Sequence, residues 1–169
     1  MPQAEVPQAL PEAPARGNRA RKVLLAEDCP QSALLFHSGF AKPPPWKVGW
    51  MPDGKDVLSF LLKHPPYEDA WTPTLIVLNI NLPHVDRLTL LREIKSAPAL
   101  APIPIVTWSV SQNREEIAFS YQHGAAAFVS KPVWEIRRQI TAIRAFWEEA
   151  QPPLESQLDT IFLVSEVTD

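Results

Sequence analysis

The sequence predicts an α/β protein: a doubly wound, five-stranded parallel sheet with helices on both faces. Three observations predict it. Five short apolar runs alternate along the chain with five helical patterns, the order expected of parallel strands joined by right-handed helical crossovers. Most of the runs are apolar throughout, as in strands covered on both faces. Four of the five runs are followed by polar residues, at the carboxyl ends of strands where open α/β sheets form their sites.

The strand at 75–78 is the one around which the others are arranged, because it runs directly into Asn79 and a loop closed by Pro83. The second strand is the weakest prediction, and it rests on alternating apolar residues between a proline triplet and the turn Asp53-Gly54. The predicted strands cover residues 22–26, 46–50, 75–78, 103–108 and 125–130.

The helices are predicted from apolar residues at helical spacing and from residues that begin or end helices. Pro30 suits the first turn of a helix, and Gly124 suits the position after a helix, where a left-handed residue is favoured. In the last helix, Ile136, Ile140 and Ile143 lie on one stripe. The predicted helices cover residues 30–39, 56–63, 86–95 and 134–150, with a further helix that ends near 123.

Composition excludes several classes of protein. The 169 residues include 16 basic and 19 acidic ones with no long basic run, so an electrostatic nucleic-acid binder is not expected. The single cysteine, Cys29, excludes an intramolecular disulfide and fits a reducing compartment. No apolar run approaches the ~20 residues of a membrane span, and the start of the chain lacks the apolar core of a signal peptide. We therefore expect a cytoplasmic protein that does not bind membranes.

The two ends of the chain differ from the folded part. Residues 1–20 are rich in proline and alanine without apolar periodicity, which predicts a disordered tail. The folded domain is predicted at 21–150, and 151–169 form a C-terminal extension. Within that extension, Thr160 is followed by four apolar residues up to Val164. This run predicts a strand that pairs with its own sheet or with a second protomer, and we favour a dimer arm and a homodimer.

The polar residues at the strand ends form an ordered set. The chain resembles, over roughly residues 21–150, a CheY-like response-regulator receiver domain with its flavodoxin-like fold. The matching features, each in the position that the family uses, are the acidic pair Glu27 and Asp28 after the first strand, Ser109 at the end of the fourth, Phe128 on the fifth, and Lys131-Pro132 after the fifth.

The resemblance implies a signalling protein and not an enzyme. In the family an aspartate carboxylate accepts a phosphoryl group from a phosphohistidine while Mg²⁺ neutralises the oxygens. By resemblance, the metal ligands here are Asp28, Glu27 and the backbone carbonyl of Asn81. Lys131 supplies a fixed positive charge, Ser109 the hydroxyl that follows the phosphoryl group, and Phe128 is the aromatic switch residue.

The chain departs from the family at the residue that matters most. Asn79 occupies the position of the phosphoacceptor aspartate. An amide cannot form an acyl phosphate, and losing one negative charge weakens binding of a hard cation, so we expect no phosphorylation at this position and weakened Mg²⁺ binding. One interpretation of the retained Asp28 and Lys131 is that they pair with each other; another is that Asn79 was introduced deliberately into an active parent. We expect the carboxylates beside Cys29 to raise the pKa of its thiol. A second departure is Arg87, where the family usually has glycine.

A subgroup is indicated by the long loop 62–73, the sequence Asn81-Leu-Pro83 and the aromatic pair ending at Trp147. These features are similar to small stand-alone regulators that partner bacterial phytochrome histidine kinases, which implies a sensor histidine kinase as partner and a dimer. Two functions stay open: a phosphorelay receiver whose acceptor site is disabled, by natural loss or by deliberate substitution, and a phosphorylation-independent adaptor that acts by docking or dimerisation. A flavodoxin-like enzyme is disfavoured because no phosphate-cradling glycine loop follows the first strand.

Overall fold

A computed structural model describes residues 21–41, 46–86 and 89–149 of the chain. The strands are β1 (Arg21–Ala26), β2 (Trp46–Met51), β3 (Leu75–Leu78), β4 (Ile105–Ser109) and β5 (Ala127–Ser130). The helices are α1 (Pro30–Phe40), α2 (Gly54–Leu61), α3 (Thr89–Ser96), α4 (Arg114–Gln122) and α5 (Ile136–Glu149), the last preceded by a 3₁₀ turn over Val133–Glu135. The tail 1–20, the extension 151–169 with its predicted dimer arm, and Arg87 lie outside the described residues.

All five strands are parallel and lie in the order β2-β1-β3-β4-β5. The chain winds outward from β1 to β2 and then crosses back to β3, so the strand order reverses between β1 and β3. In a doubly wound sheet this reversal opens a crevice at the carboxyl ends of the two strands. The predicted fold class is confirmed, and the residues after β1 and β3 are neighbours.

The sheet separates two apolar cores. One lies against α1 and α5 and includes Phe36, Trp108 and Trp147, and the other lies against α2 and α3 and includes Phe60 and Leu91. Strand β3 is fully buried on both sides, which explains its uninterrupted apolar sequence. Within the described ranges, every helix is too short or too polar to cross a bilayer.

Several boundaries differ from the predicted ones because backbone hydrogen bonds decide them. Strand β4 begins two residues late, since the N–H of Ile103 closes a turn with Leu100. Strand β5 also begins late, because the N–H of Ala125 donates to Ser120 at the end of α4. Helix α2 ends before Lys63, which adopts a left-handed backbone with φ of 56°.

Helix α2 begins at Gly54 because Asp53 caps it. The Asp53 carboxylate accepts a hydrogen bond of 2.8 Å from the N–H of Lys55 and lies 2.5 Å from Nδ1 of His84. The hydrogen bond from Lys55 is the main cause that lowers the pKa of Asp53, and His84 adds to it. Asp53 therefore joins the β2–α2 turn to the loop after β3.

We expect Asp53→Ala to lower the free energy of unfolding by about 1 kcal/mol at neutral pH, because it removes an N-cap acceptor. Asp53→Asn is the control, since asparagine also caps helices, and its loss should be smaller. A group whose folded pKa is lowered stabilises the fold above its ordinary pKa and loses that contribution as the pH falls through the folded value. Urea unfolding at neutral and acid pH should show the deficit of Asp53→Asn vanishing in acid. A deficit that persists in acid would contradict this account.

Candidate functional site

The carboxyl ends of β1, β3, β4 and β5 bring the predicted polar residues into one pocket. The N–H of Asn79 donates to the carbonyl of Ala26, and the N–H of Lys131 donates to the carbonyl of Ser109, so the ladders hold these residues at the sheet edge. Glu27, Asn79, Ser109 and Lys131 are all buried. Buried polar side chains need partners, and each of these has one.

Lys131 forms a buried ion pair with Glu27. Its Nζ lies 2.6 Å from Glu27 Oε2, and the two side chains are 5% and 0% exposed. The other carboxylate oxygen of Glu27 accepts from the N–H of Cys29 at 3.0 Å. Burial raises the pKa of Glu27, and Lys131 and the Cys29 amide offset part of that rise. Both oxygens of Glu27 are therefore occupied within the protein.

The structure pairs Lys131 with Glu27, and not with Asp28 as the sequence had suggested. The physical reason is depth, because Glu27 is fully buried while Asp28 is exposed. A buried carboxylate without a counter-charge is far more costly than an exposed one, so the buried Lys131 stabilises the deeper acid, Glu27.

Asn79 uses both ends of its amide. Its Nδ2 donates to Asp28 Oδ1 at 2.9 Å, and its Oδ1 accepts from the N–H of Asn81 at 3.1 Å. An ionised carboxylate in the same place would accept the second bond but could not donate the first. Asn79 therefore donates a hydrogen bond to the carboxylate of Asp28. An aspartate at position 79 would instead place two negative charges next to each other.

Asn81 contributes a contact that the sequence did not predict. The predicted role was that of its backbone carbonyl, whereas its side-chain Nδ2 donates to Ser109 Oγ at 3.2 Å. The same hydroxyl accepts from the N–H of Ser111. The Ser109 hydroxyl, predicted to stabilise a phosphoryl group, is thus held by the loop after β3 and the loop after β4.

Two tryptophans also touch the site. Trp108 is fully buried, and the Nζ of Lys131 lies 4.8 Å from its ring centre, within the range of a cation–π contact. The indole of Trp50 donates to the backbone carbonyl of Glu27 at 2.6 Å. The sequence shows that both tryptophans lie near the ends of strands. The order of the strands in the sheet decides which site residues their side chains contact.

Phe128 is half-buried on the edge strand β5. It packs against the apolar core that lies between the sheet and helices α2 and α3. Its backbone N–H donates to the hydroxyl of Tyr121 at 3.1 Å. The switch role of Phe128 remains a prediction.

The pKa of the Cys29 thiol is lowered, which reverses the expectation. Hydrogen bonding to Ser32 is the largest cause, and it outweighs the nearby carboxylate of Glu27, which acts to raise the pKa. The sequence showed the carboxylates next to Cys29 but not the turn of α1 that brings Ser32 to the sulfur.

Most of the side-chain oxygens predicted to bind a divalent cation are engaged in hydrogen bonds in this arrangement. No cluster of three or more histidine, cysteine, aspartate or glutamate side chains suits a metal in the described part of the chain. The oxygens of Glu27 and the Oδ1 of Asn79 already accept hydrogen bonds. Asp28 alone offers a carboxylate towards solvent, whereas hard cations take several oxygen ligands.

Comparison with known proteins identifies the family of the chain. Residues 23–144 match the family described as the response regulator receiver domain. The response regulator Rcp1 of Synechocystis sp. is 32% identical over 99 residues, which are 57% of this chain and 67% of Rcp1.

Solved structures share the fold. The Mn²⁺-bound form of Rcp1 superposes with a TM-score of 0.76 at 28% identity, covering 79% of this chain and 99% of Rcp1. The phosphorylated cyanobacterial phytochrome response regulator RcpA superposes with a TM-score of 0.77 at 31% identity, covering 80% of this chain and 100% of RcpA.

Proposed function

The chain belongs to the response regulator receiver domain family, and we propose that it serves a two-component system without being phosphorylated at its acceptor position. The observation that supports this is Asn79, which follows β3 and hydrogen-bonds to Asp28. The transfer needs a carboxylate oxygen as nucleophile. The amide nitrogen of Asn79 is a donor without a nucleophilic lone pair, and its oxygen is engaged by Asn81.

The proposed partner is a sensor histidine kinase of the phytochrome type. The similarity to RcpA, described as a phytochrome response regulator, covers the whole of that chain and supports this assignment. The long loop after α2 is similar to that subgroup, and its Tyr67 and Trp71 hold it on the domain by packing edge-on against Phe60. We further propose a cytoplasmic, non-enzymatic protein that dimerises through 160–164.

A second candidate function is a phosphorylation-independent adaptor. The observation in its favour is the ion pair between Lys131 and Glu27. A lysine held in this way is not directed at an incoming phosphoryl group, and the Ser109 hydroxyl is likewise engaged. In this case the receiver fold acts by docking alone.

Asn79→Asp distinguishes the two functions. After incubation with Mg²⁺ and a small phosphodonor, we expect the variant to gain the mass of one phosphoryl group while the parent chain does not. Asn81→Asp is the matched control, since it adds the same charge two residues further on. Intact mass spectrometry is the measurement.

A gain in Asn79→Asp alone means a competent receiver silenced at one residue. A gain in neither protein favours the adaptor. Phosphorylation of the parent chain in this pocket would contradict the proposed function, because Asp28 or Glu27 would then be the acceptor.

Mg²⁺ should stabilise Asn79→Asp and leave the parent almost unaffected. The substitution replaces a hydrogen bond to Asp28 by two facing carboxylates, whose repulsion a cation relieves, and binding to the folded state raises stability by mass action. We expect the variant to unfold at a lower temperature than the parent in chelator and to recover in millimolar Mg²⁺. An equal Mg²⁺ shift in both proteins would show that Asn79 does not limit metal binding.

A further inference from the structure

Trp108 lies beside the pocket lysine, on the side of the sheet that faces α1 and α5. It is the next-to-last residue of β4, and because side chains alternate along a strand, its ring points away from the face that Thr107 and Ser109 share. The ring is fully buried in the apolar core below α1 and α5. The Nζ of the buried Lys131 lies 4.8 Å from its centre, so Trp108 contacts the pocket from the core.

Two helices fix the ring of Trp108. Its indole N–H donates to the side-chain oxygen of Gln139 on α5 at 3.2 Å, and the ring of Phe36 on α1 lies 5.6 Å away, tilted by 50°. A buried indole N–H needs an acceptor, so the bond to Gln139 determines which way the ring faces. The surface that Lys131 contacts is therefore held by α1 and α5, outside the loops that form the pocket.

Two attractions hold the ammonium of Lys131 where it is. One is the ion pair with Glu27 at 2.6 Å, and the other is the face of the Trp108 ring. A cation–π contact that is shielded from water corresponds to a factor of up to about thirty in an equilibrium constant. The hydrogen bonds of Asn79 go instead to Asp28 and Asn81. Any movement of the ammonium towards position 79 is opposed by both attractions.

We propose that Trp108 is a positioning residue that keeps Lys131 on Glu27, and that it limits phosphoryl transfer even after an acceptor carboxylate is restored at position 79. This inference rests on the proposed function, because it concerns how the lysine serves a restored acceptor. It places a second cause of low reactivity in the core, apart from Asn79. An acceptor restored by Asn79→Asp alone is therefore phosphorylated slowly, and releasing the lysine speeds the transfer.

In that transfer, the carboxylate introduced by Asn79→Asp attacks the phosphorus of acetyl phosphate. The bond between phosphorus and the acetyl oxygen breaks, and acetate leaves with the electron pair. Negative charge on the phosphoryl oxygens is stabilised by an ammonium that can reach them. Trp108→Leu removes the ring contact while the ion pair stays. We therefore expect Asn79→Asp/Trp108→Leu to be phosphorylated about tenfold faster than Asn79→Asp, and at most about thirtyfold faster.

The first measurement follows the lysine itself in the parent chain, without any phosphoryl transfer. A buried, ion-paired ammonium exchanges its protons with water only when it opens. In ¹⁵N spectra we expect the protons of Lys131 to exchange about tenfold faster in Trp108→Leu than in the parent, and less so in Trp108→Phe, which keeps a ring. Lys95 is the internal reference, because its ammonium donates to the carbonyls of Ala101 and Ile103 at 2.9 and 2.7 Å.

The second measurement is the rate of mass gain with acetyl phosphate and Mg²⁺. Phe40→Leu is the matched control for both measurements, because Phe40 is 2% exposed in the same core and packs on Phe36 and Trp46. It should change neither the exchange at Lys131 nor the rate in the Asn79→Asp background. If Trp108→Leu fails to fold, Gln139→Leu removes the acceptor of the indole and should also speed the exchange, whereas Gln139→Glu should not.

The proposal is overturned if the ammonium of Lys131 already exchanges rapidly in the parent, or if Trp108→Leu leaves its exchange unchanged. An equal increase at Lys95, or in Phe40→Leu, would overturn it as well, because the effect would then be general loosening. So would a double variant that gains mass no faster than Asn79→Asp, including a gain in neither. Phosphorylation of Trp108→Leu with Asn79 intact would instead contradict the proposed function, and the exchange result would stand apart from it.

Discussion

Lys131→Met should lower the free energy of unfolding by about 3–5 kcal/mol, the loss typical of a buried ion pair that is deprived of one partner. Methionine fills a similar volume, so the loss reflects the carboxylate of Glu27, which would stay fully buried without its counter-charge. Chemical denaturation at neutral pH measures the effect.

The pH dependence of this variant identifies the cause. Burial already raises the pKa of Glu27 in the parent, and removing the lysine raises it further. A carboxyl group whose pKa is higher in the folded than in the unfolded state lowers the free energy of unfolding once the pH rises above its unfolded pKa. In acid the group is protonated in both the folded and the unfolded state, and this loss disappears. The deficit of Lys131→Met should therefore shrink as the pH falls through the raised folded pKa of Glu27, and it should be smallest below the ordinary glutamate pKa.

The double variant Glu27→Gln/Lys131→Met is the control. Replacing both partners removes the stranded charge, so the double variant should be more stable than Lys131→Met alone, and the pair should show strong coupling in a double-mutant cycle. Additive losses, or a deficit of Lys131→Met that does not change with pH, would show that Glu27 is not the stranded group.

Phe36→Ala should also lower the free energy of unfolding by about 3–5 kcal/mol, the range for truncating a buried phenylalanine. Phe36 is fully buried on α1. Its ring centre lies 4.6 Å from that of Phe40 and 5.6 Å from that of Trp108, so truncation opens a cavity beneath the tryptophan that Lys131 contacts.

Leu34→Ala is the matched control, because Leu34 lies on the same helix and is 68% exposed. Its truncation should change the free energy of unfolding by no more than about 0.5 kcal/mol. Phe36→Leu keeps most of the apolar volume and should fall between the two if the variant with alanine proves too unstable to purify. Equal losses for Phe36→Ala and Leu34→Ala would contradict the described packing.

The family and its site were largely predictable because the relevant signals are local. Polar residues directly after apolar runs must lie at the carboxyl edge of a parallel sheet, whichever order the strands take. This rule alone places Glu27, Asn79, Ser109 and Lys131 at one edge of the sheet. The sequence also shows that the phosphoacceptor position holds Asn79 and not aspartate. The identity of this one residue decides whether the site has a carboxylate there.

The contacts within the pocket depended on the tertiary structure. Lys131 follows β5 and Glu27 follows β1, and only the depth of each side chain in the folded sheet decides that the lysine contacts Glu27 and not Asp28. The same holds for the amide of Asn81, whose contact with Ser109 joins loops from two different strands. The sequence by itself determined which chemical groups this protein has at the edge of its sheet. Burial, which makes an unpaired charge costly, decided how those groups pair.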